Sequence, residues 1–164
     1  PGAKCRVLHA AEVNRVLDLE QGVPTMTEHE LPGVEVDLVS YSAYDAMKDG
    51  PTLHRAIGLI RRFARTGPLL GAGAVCIGEI GIPENDAPER IEERWDELLG
   101  AAFAARAVYV AQWQLYCNER RAGRPVSAGP VRDAAGVRGF WLVRPDGSLS
   151  RTGALFRSLW QAAG

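Results

Sequence analysis

A carboxylate in the middle of an apolar run is the residue of this chain best placed for chemistry. Glu79 follows Val75-Cys76-Ile77-Gly78 and precedes Ile80-Gly81-Ile82. An ionised carboxyl is costly to bury there without a partner, so the position calls for an ion-pair partner or a function. Gly78 and Gly81 leave room for close approach of a ligand or a neighbouring backbone. A carboxylate so placed suits general-base chemistry. Other polar residues close similar runs: Glu12 and Asn14; Ser42, Tyr44 and Asp45; Gln112, Trp113, Tyr116 and Asn118.

The runs that carry these residues read as strands. They are Cys5 to Asn14, Val34 to Asp45, Gly73 to Glu84 and Val108 to Glu119, each apolar and too short for a typical buried helix. Helical patterns alternate with them. Thr52 to Arg65 sets Leu53, Ile57, Ile60 and Ala64 at helical spacing, after a Pro51 suited to a first turn; Arg61, Arg62 and Arg65 form its solvated face. Pro88 to Arg106 carries the stripe Ile91, Trp95, Leu98, Leu99 and Ala102, with acidic residues in its first turns. Thr152 to Ala162 offers Leu155, Phe156, Leu159 and Trp160 as a packing face. Thr25 to Leu31 predicts only a short helix, ended by Pro32-Gly33. Arg120 to Gly139, rich in Gly, Pro and Arg, reads as a long loop, and Pro145-Asp146-Gly147 as a tight turn.

Strand alternating with helix predicts an α/β fold with a parallel sheet. Four such units make one domain, residues 1–164, and amount to half of a (β/α)8 barrel, which takes about 250 residues. In parallel α/β folds ligands meet the C-terminal ends of the strands, which is where the polar residues above fall.

Composition narrows the function classes. The chain has 164 residues, 46% of them hydrophobic, and a net charge of -1. That balance favours neither nucleic acid nor an anionic membrane surface as a partner, and no apolar run is long enough to span a bilayer. No basic stretch followed by an apolar region marks a signal peptide, which leaves the compartment unassigned. Cys5, Cys76 and Cys117 form no C-x-x-C pair and read as free buried thiols. His9, His29 and His54 have no metal-site spacing, and no dinucleotide, P-loop or nucleophile-elbow motif is present, so neither metal nor cofactor is expected.

The order SYSAYD (Ser40–Asp45), GEIGIPE (Gly78–Glu84), AQWQLY (Ala111–Tyr116) resembles the last three strands of a clan A retaining glycoside hydrolase of the family 5 cellulase and mannanase type. TGALFRSLW (Thr152–Trp160) resembles the last unit of those enzymes. The resemblance implies strands five to eight of the barrel, Glu79 as nucleophile, Tyr44 as its orienting hydroxyl and Trp113 as a sugar platform. It covers nearly the whole chain. Tyr44 matches the clan's sixth strand, but the usual His does not, and the clan's Asn-Glu acid/base of strand four has no counterpart. Glu12, Asn14 and Gln112 are then expected as substrate-binding groups at the rim, with Glu12 a candidate substitute acid. The implied partners are a carbohydrate substrate and an N-terminal half-barrel, in the same chain or another, or a second copy that covers the open sheet edges. Secretion is compatible with the resemblance. The rival expectation is a carbohydrate-binding or interaction domain without catalysis.

Overall fold

A computed structural model describes residues 9–67, 69–85, 88–116, 120–121, 124–125 and 137–163. In chain order the regular elements are β1 (Ala10–Asn14), α1 (Met26–His29), β2 (Glu35–Val36), β3 (Leu38–Ser42), α2 (Gly50–Phe63), β4 (Arg65–Thr66), β5 (Val75–Ile80), α3 (Ile91–Ala104), β6 (Val110–Gln112), β7 (Arg120–Arg121), β8 (Arg124–Pro125) and α4 (Arg151–Ala163). The fold is α/β, with a four-stranded parallel sheet in the order β1-β3-β5-β6. Sheet order follows chain order, as expected of successive strand–helix units. Two compact units divide the chain: Pro1–Ile80 with Leu98–Ala111, and Gly81–Glu97 with Gln112–Gly164.

The first unit holds β1, β3 and β5 of the sheet. On one face Val13, Val39, Tyr41, Val75 and Ile77 are buried, and α2 covers β5 there with its own buried Leu53, Ile57 and Ile60. Three of the four residues expected as the stripe on α2 are therefore buried; Ala64 lies past its end. Asp49 caps this helix, its carboxylate accepting from Thr52 N at 2.8 Å, and Pro51 fills the first turn. Arg61 does not belong to a solvated face: its Nε donates to Gly73 O and its Nη2 to Arg106 O, tying two loops to the helix. On the opposite face β1 exposes Ala10, Glu12 and Asn14, and Leu38, Ala74 and Cys76 form a small buried apolar cluster. Cys76 is a buried free thiol, as expected, and its bond to Tyr109, helped by burial, pushes that phenol up to about 12.

Several boundaries differ from the sequence reading: of the expected runs Gly73 to Glu84 and Val108 to Glu119, β5 takes only Val75–Ile80 and β6 only Val110–Gln112. Val34 to Asp45 is not one strand: β2 pairs with β4 in a separate two-stranded sheet, and Asp37 breaks the run by exchanging hydrogen bonds with His9. Tyr44 and Asp45 lie past the strand, in a 3-10 turn over Ala43–Ala46. Within the expected long loop, β7 and β8 pair antiparallel. Cys5, Cys117 and Asn118 lie outside the described residues.

The second unit contains all four tryptophans, Trp95, Trp113, Trp141 and Trp160. Buried Trp95 donates to Thr152 Oγ1 at 3.0 Å and meets the Phe156 ring edge-on at 5.0 Å. The expected packing face of α4 is only half right: Phe156 packs, but Leu159 is exposed and Trp160 is 82% exposed. The helix approaches its neighbours instead through Thr152 and Gly153, and a Cβ on Gly153 would collide with the Leu142 carbonyl. Ser150 caps the helix by accepting from Gly153 N at 2.9 Å. The expected turn at Pro145-Asp146-Gly147 is present, closed by Arg144 N to Ser148 O at 2.8 Å.

Glu84 organises this unit. It is 5% exposed, and its two oxygens accept from Trp141 Nε1 (2.7 Å), Arg144 Nε and Nη2 (2.9 and 2.6 Å) and Arg151 N (2.9 Å). Burial pushes its carboxyl up, but the bonds from Arg144, Trp141 and Arg151 outweigh that and hold it below the ordinary value.

Two expectations follow from this packing. Gly153→Ala lowers the stability of the second unit by roughly 1–3 kcal/mol, measured as a lower urea midpoint in tryptophan emission. Gly100→Ala, whose methyl meets open space on α3, raises stability by about 0.5–1 kcal/mol; equal effects would contradict the close approach at Gly153. Because the folded pKa of Glu84 is depressed, its stabilisation is complete above the ordinary glutamate pKa and is lost as pH falls through the folded value. Glu84→Gln flattens that acid limb and costs roughly 1–3 kcal/mol at neutral pH. An unchanged slope of stability against pH in the variant would exclude Glu84 as its source.

Candidate functional site

The parallel register brings three strand ends level. Asn14 of β1 pairs with Ser42 of β3, and Ser42 pairs with Glu79 of β5. The second pairing contains an irregularity. Ser40 faces Cys76 and Tyr41 faces Ile77, but Ser42 faces Glu79, so Gly78 is one residue extra. In an uninterrupted strand Glu79 would share the face of Ile77, which is buried with the helix-covered core. The bulge at Gly78 turns it to the face of Ser42 instead. A Cβ there would meet Ser40 Oγ, which would have to turn away.

The result is a cleft of about 370 Å³ at the C-terminal ends of β1, β3 and β5. Glu12, Asn14, Ser42, Tyr44 and Glu79 line it, with Arg15 and Asp45. All lie in the first unit. Four of the expected site residues, Glu12, Asn14, Tyr44 and Glu79, are thus brought together. Its carboxylates differ in what holds them. Glu12 accepts the Ser42 hydroxyl at 2.7 Å. Asp45 accepts the Tyr41 hydroxyl at 2.7 Å and Leu17 N at 2.9 Å. Burial, and then the bond to Asp45 and its charge, push the Tyr41 phenol far above its ordinary value, so Tyr41 acts only as a donor. The Glu79 side chain, half-buried, has no hydrogen bond or ion pair among the described residues. The orienting bond expected from Tyr44 is therefore not formed here, although Tyr44 walls the same cleft. The bland alternative for Glu79, an arginine ion pair, is likewise not formed among the described residues.

Gln112 and Trp113 belong to the second unit. Gln112 Nε2 donates to Trp113 O at 2.6 Å, and its Oε1 is buried without a hydrogen-bond partner. Trp113 is 37% exposed. Gly81 lies against the Trp113 carbonyl, where a Cβ would collide. Among the described residues no group of three or more His, Cys, Asp or Glu is arranged to hold a metal ion.

Sequence reasoning missed the tie from Ser42 to Glu12, and it missed Arg15 and Tyr41. Tyr41 hides among apolar strand residues. Arg15 follows β1 in a left-handed conformation (φ 50°) for which an arginine carries no signal. The bulge did leave a trace: Val75, Ile77 and Glu79 share one parity, so a carboxylate at a core position directly after a glycine was a sign of a shifted register.

No protein family, curated protein or solved structure matches the chain.

The Gly78 contact generates a mutational cycle. Gly78→Ala is expected to destabilise the first unit by roughly 1–3 kcal/mol, followed by circular dichroism in urea. Ser40→Ala alone should change stability little, and the double variant should recover at least half of the loss, because the colliding hydroxyl is gone. Additive losses would show that Ser40 is not the obstacle.

Proposed function

We propose that this chain is the C-terminal half of a (β/α)8 barrel, strands five to eight, of a retaining glycoside hydrolase acting on a β-linked glycan, with Glu79 as nucleophile. The observation that carries the reading is a carboxylate that has no side-chain partner among the described residues, at the C-terminal end of a central parallel strand, turned by a bulge into a cleft. The order of the sheet, in step with the chain, supports the barrel half.

In the reaction a Glu79 oxygen bonds to the anomeric carbon as the bond from that carbon to the leaving oxygen breaks. The leaving oxygen takes a proton from a second carboxylic acid. Water then attacks the anomeric carbon, gives its proton to that second group, and releases the Glu79 carboxylate. The two carboxyl groups must stand about 5–5.5 Å apart for this double displacement. Tyr44 is assigned to the sugar site, with Glu12 and Asn14 at its rim.

The proton donor is assigned to an N-terminal half-barrel, in the same chain or another. The sheet supports such a partner physically. Parallel sheets are normally covered on both faces, whereas β1 here exposes Ala10, Glu12 and Asn14. Among the described strands β1 and β6 are also edges, with neighbours on one side only, and open edges favour association. A second copy of this chain is the alternative cover.

A second reading, carbohydrate binding without catalysis, is favoured by one observation. Of the three cleft carboxylates, Glu12 and Asp45 are already engaged by Ser42, Tyr41 and Leu17. One free carboxylate can hold a sugar hydroxyl but cannot perform the two-carboxylate reaction.

In the assembled enzyme, Glu79→Gln is expected to lower kcat on aryl β-glycosides by at least about a thousandfold, and a mechanism-based label should attach to Glu79. Label on another residue, or full activity in the variant, would sink the assignment. Binding of glycans by the assembled protein with no turnover would favour the second reading.

A further inference from the structure

Arg15 is the only cation among the described residues that line the Glu79 cleft. It shares that cleft with three carboxylates, Glu12, Asp45 and Glu79. Two of them are engaged: Glu12 by the Ser42 hydroxyl, and Asp45 by the Tyr41 hydroxyl and Leu17 N. Glu79 is left without a hydrogen bond or ion pair among the described residues.

The backbone sets Arg15 on a ridge. β1 ends at Asn14, and Arg15 turns the chain in the left-handed region (φ 50°, ψ 37°). Glycine enters that region freely and arginine does not, so the turn itself does not ask for an arginine. Two hollows meet here. Arg15 lines both the cleft that holds Glu79 and the neighbouring hollow that holds Asp18. Both belong to the first unit. In the structure Arg15 Nη2 lies 2.6 Å from Asp18 Oδ2. That seat is shallow: the Arg15 side chain is 74% exposed, and exposed pairs hold weakly. On the other side, Asn14 is level with Ser42 and Ser42 with Glu79. Two strand spacings, about 9–10 Å, therefore separate the backbones of Asn14 and Glu79. An arginine and a glutamate, both long side chains, can close that gap between them.

A ligand that fills the cleft takes solvent away from Glu79 and strengthens every charge interaction left inside. The carboxylate then gains most from a guanidinium at its side. From this geometry we infer that Arg15 is a positioning residue for Glu79, with two seats for its guanidinium: Asp18 on the rim and Glu79 in the cleft. In the second seat its hydrogen bonds orient the carboxylate and favour the charged form, which a nucleophile requires. The role of Glu79 as nucleophile rests on the glycosidase reading; the two seats do not.

The test follows the Glu79 carboxyl of the full chain through a pH titration by carbon-13 NMR, with Glu79→Gln to assign its signal. Asp18→Asn removes the first seat and is expected to lower the Glu79 midpoint by at least about half a pH unit. Loss of the Asp18 charge acts in the same direction with Arg15 standing still, so the substitution is repeated beside Arg15→Gly. Glycine suits the left-handed turn, so that variant is expected to fold, and circular dichroism checks this. Without the guanidinium, Asp18→Asn should move the midpoint less than half as far. Glu12, Asp45 and Tyr44, the other titratable groups lining the cleft beside Arg15, are the same in all these proteins, so the comparison cancels them. Equal shifts in the two backgrounds, or no shift in either, would overturn the second seat. Labelling of Glu79 in the assembled enzyme decides the nucleophile separately, whichever way the titration falls.

Discussion

One extra residue in β5 decides what the site is made of. The sheet alternates strictly, so the parity of Val75 and Ile77 commits every second position to the helix-covered core. Gly78 breaks that parity and sends Glu79 to the other face, level with Ser42. Gly78 leaves Ser40 Oγ its place at the break. Without it the chain would have to bury a carboxylate among Ile57, Ile60 and Ile77, at a cost that shifts of register or protonation would relieve. Cleft, parallel register and apolar core are therefore one solution, hinged on a glycine.

Buried Glu84 and half-buried Glu79 show what burial asks of a carboxylate. Glu84 has four hydrogen-bond donors on its two oxygens, including the first amide of α4 and a bidentate arginine. Every lone pair has an address, and the group is structural. Glu79 sits on a strand as apolar as any in the fold and has no such set among the described residues. A group left unsatisfied on a rigid element, at the mouth of a cleft, is poised for an outside partner. Glu84 was invisible as a structural centre because its donors are 57 to 67 residues away in sequence.

Much of the fold was legible because period and length are local. Most of the stripes on α2 and α3 were readable from spacing, as were the places of the four parallel strands though not their bounds, the turn at Pro145-Asp146-Gly147 and the brevity of α1. The cluster of Glu12, Asn14, Tyr44 and Glu79 was legible from one rule, that polar residues at parallel strand ends face a common site. What escaped depends on tertiary neighbours. Asp37 looks like a strand residue until His9 takes both its backbone and its carboxylate. Leu159 and Trp160 fit the helical stripe of α4, yet stay exposed because Thr152 and Gly153 make the close approach instead. Arg61 looks like a solvated charge, but two carbonyls from distant loops claim it.

The confinement of Trp95, Trp113, Trp141 and Trp160 to the second unit has a spectroscopic consequence. The indoles are local reporters. Their intrinsic emission follows the unit built around Glu84, with buried Trp95 and Trp141 giving the blue component and Trp160 the red. The unit that contains the cleft has tyrosines but no indole, so it is nearly dark at the red edge of excitation. A tryptophan placed beside Asn14 would give the cleft its own optical channel, resolved from the native signal by difference.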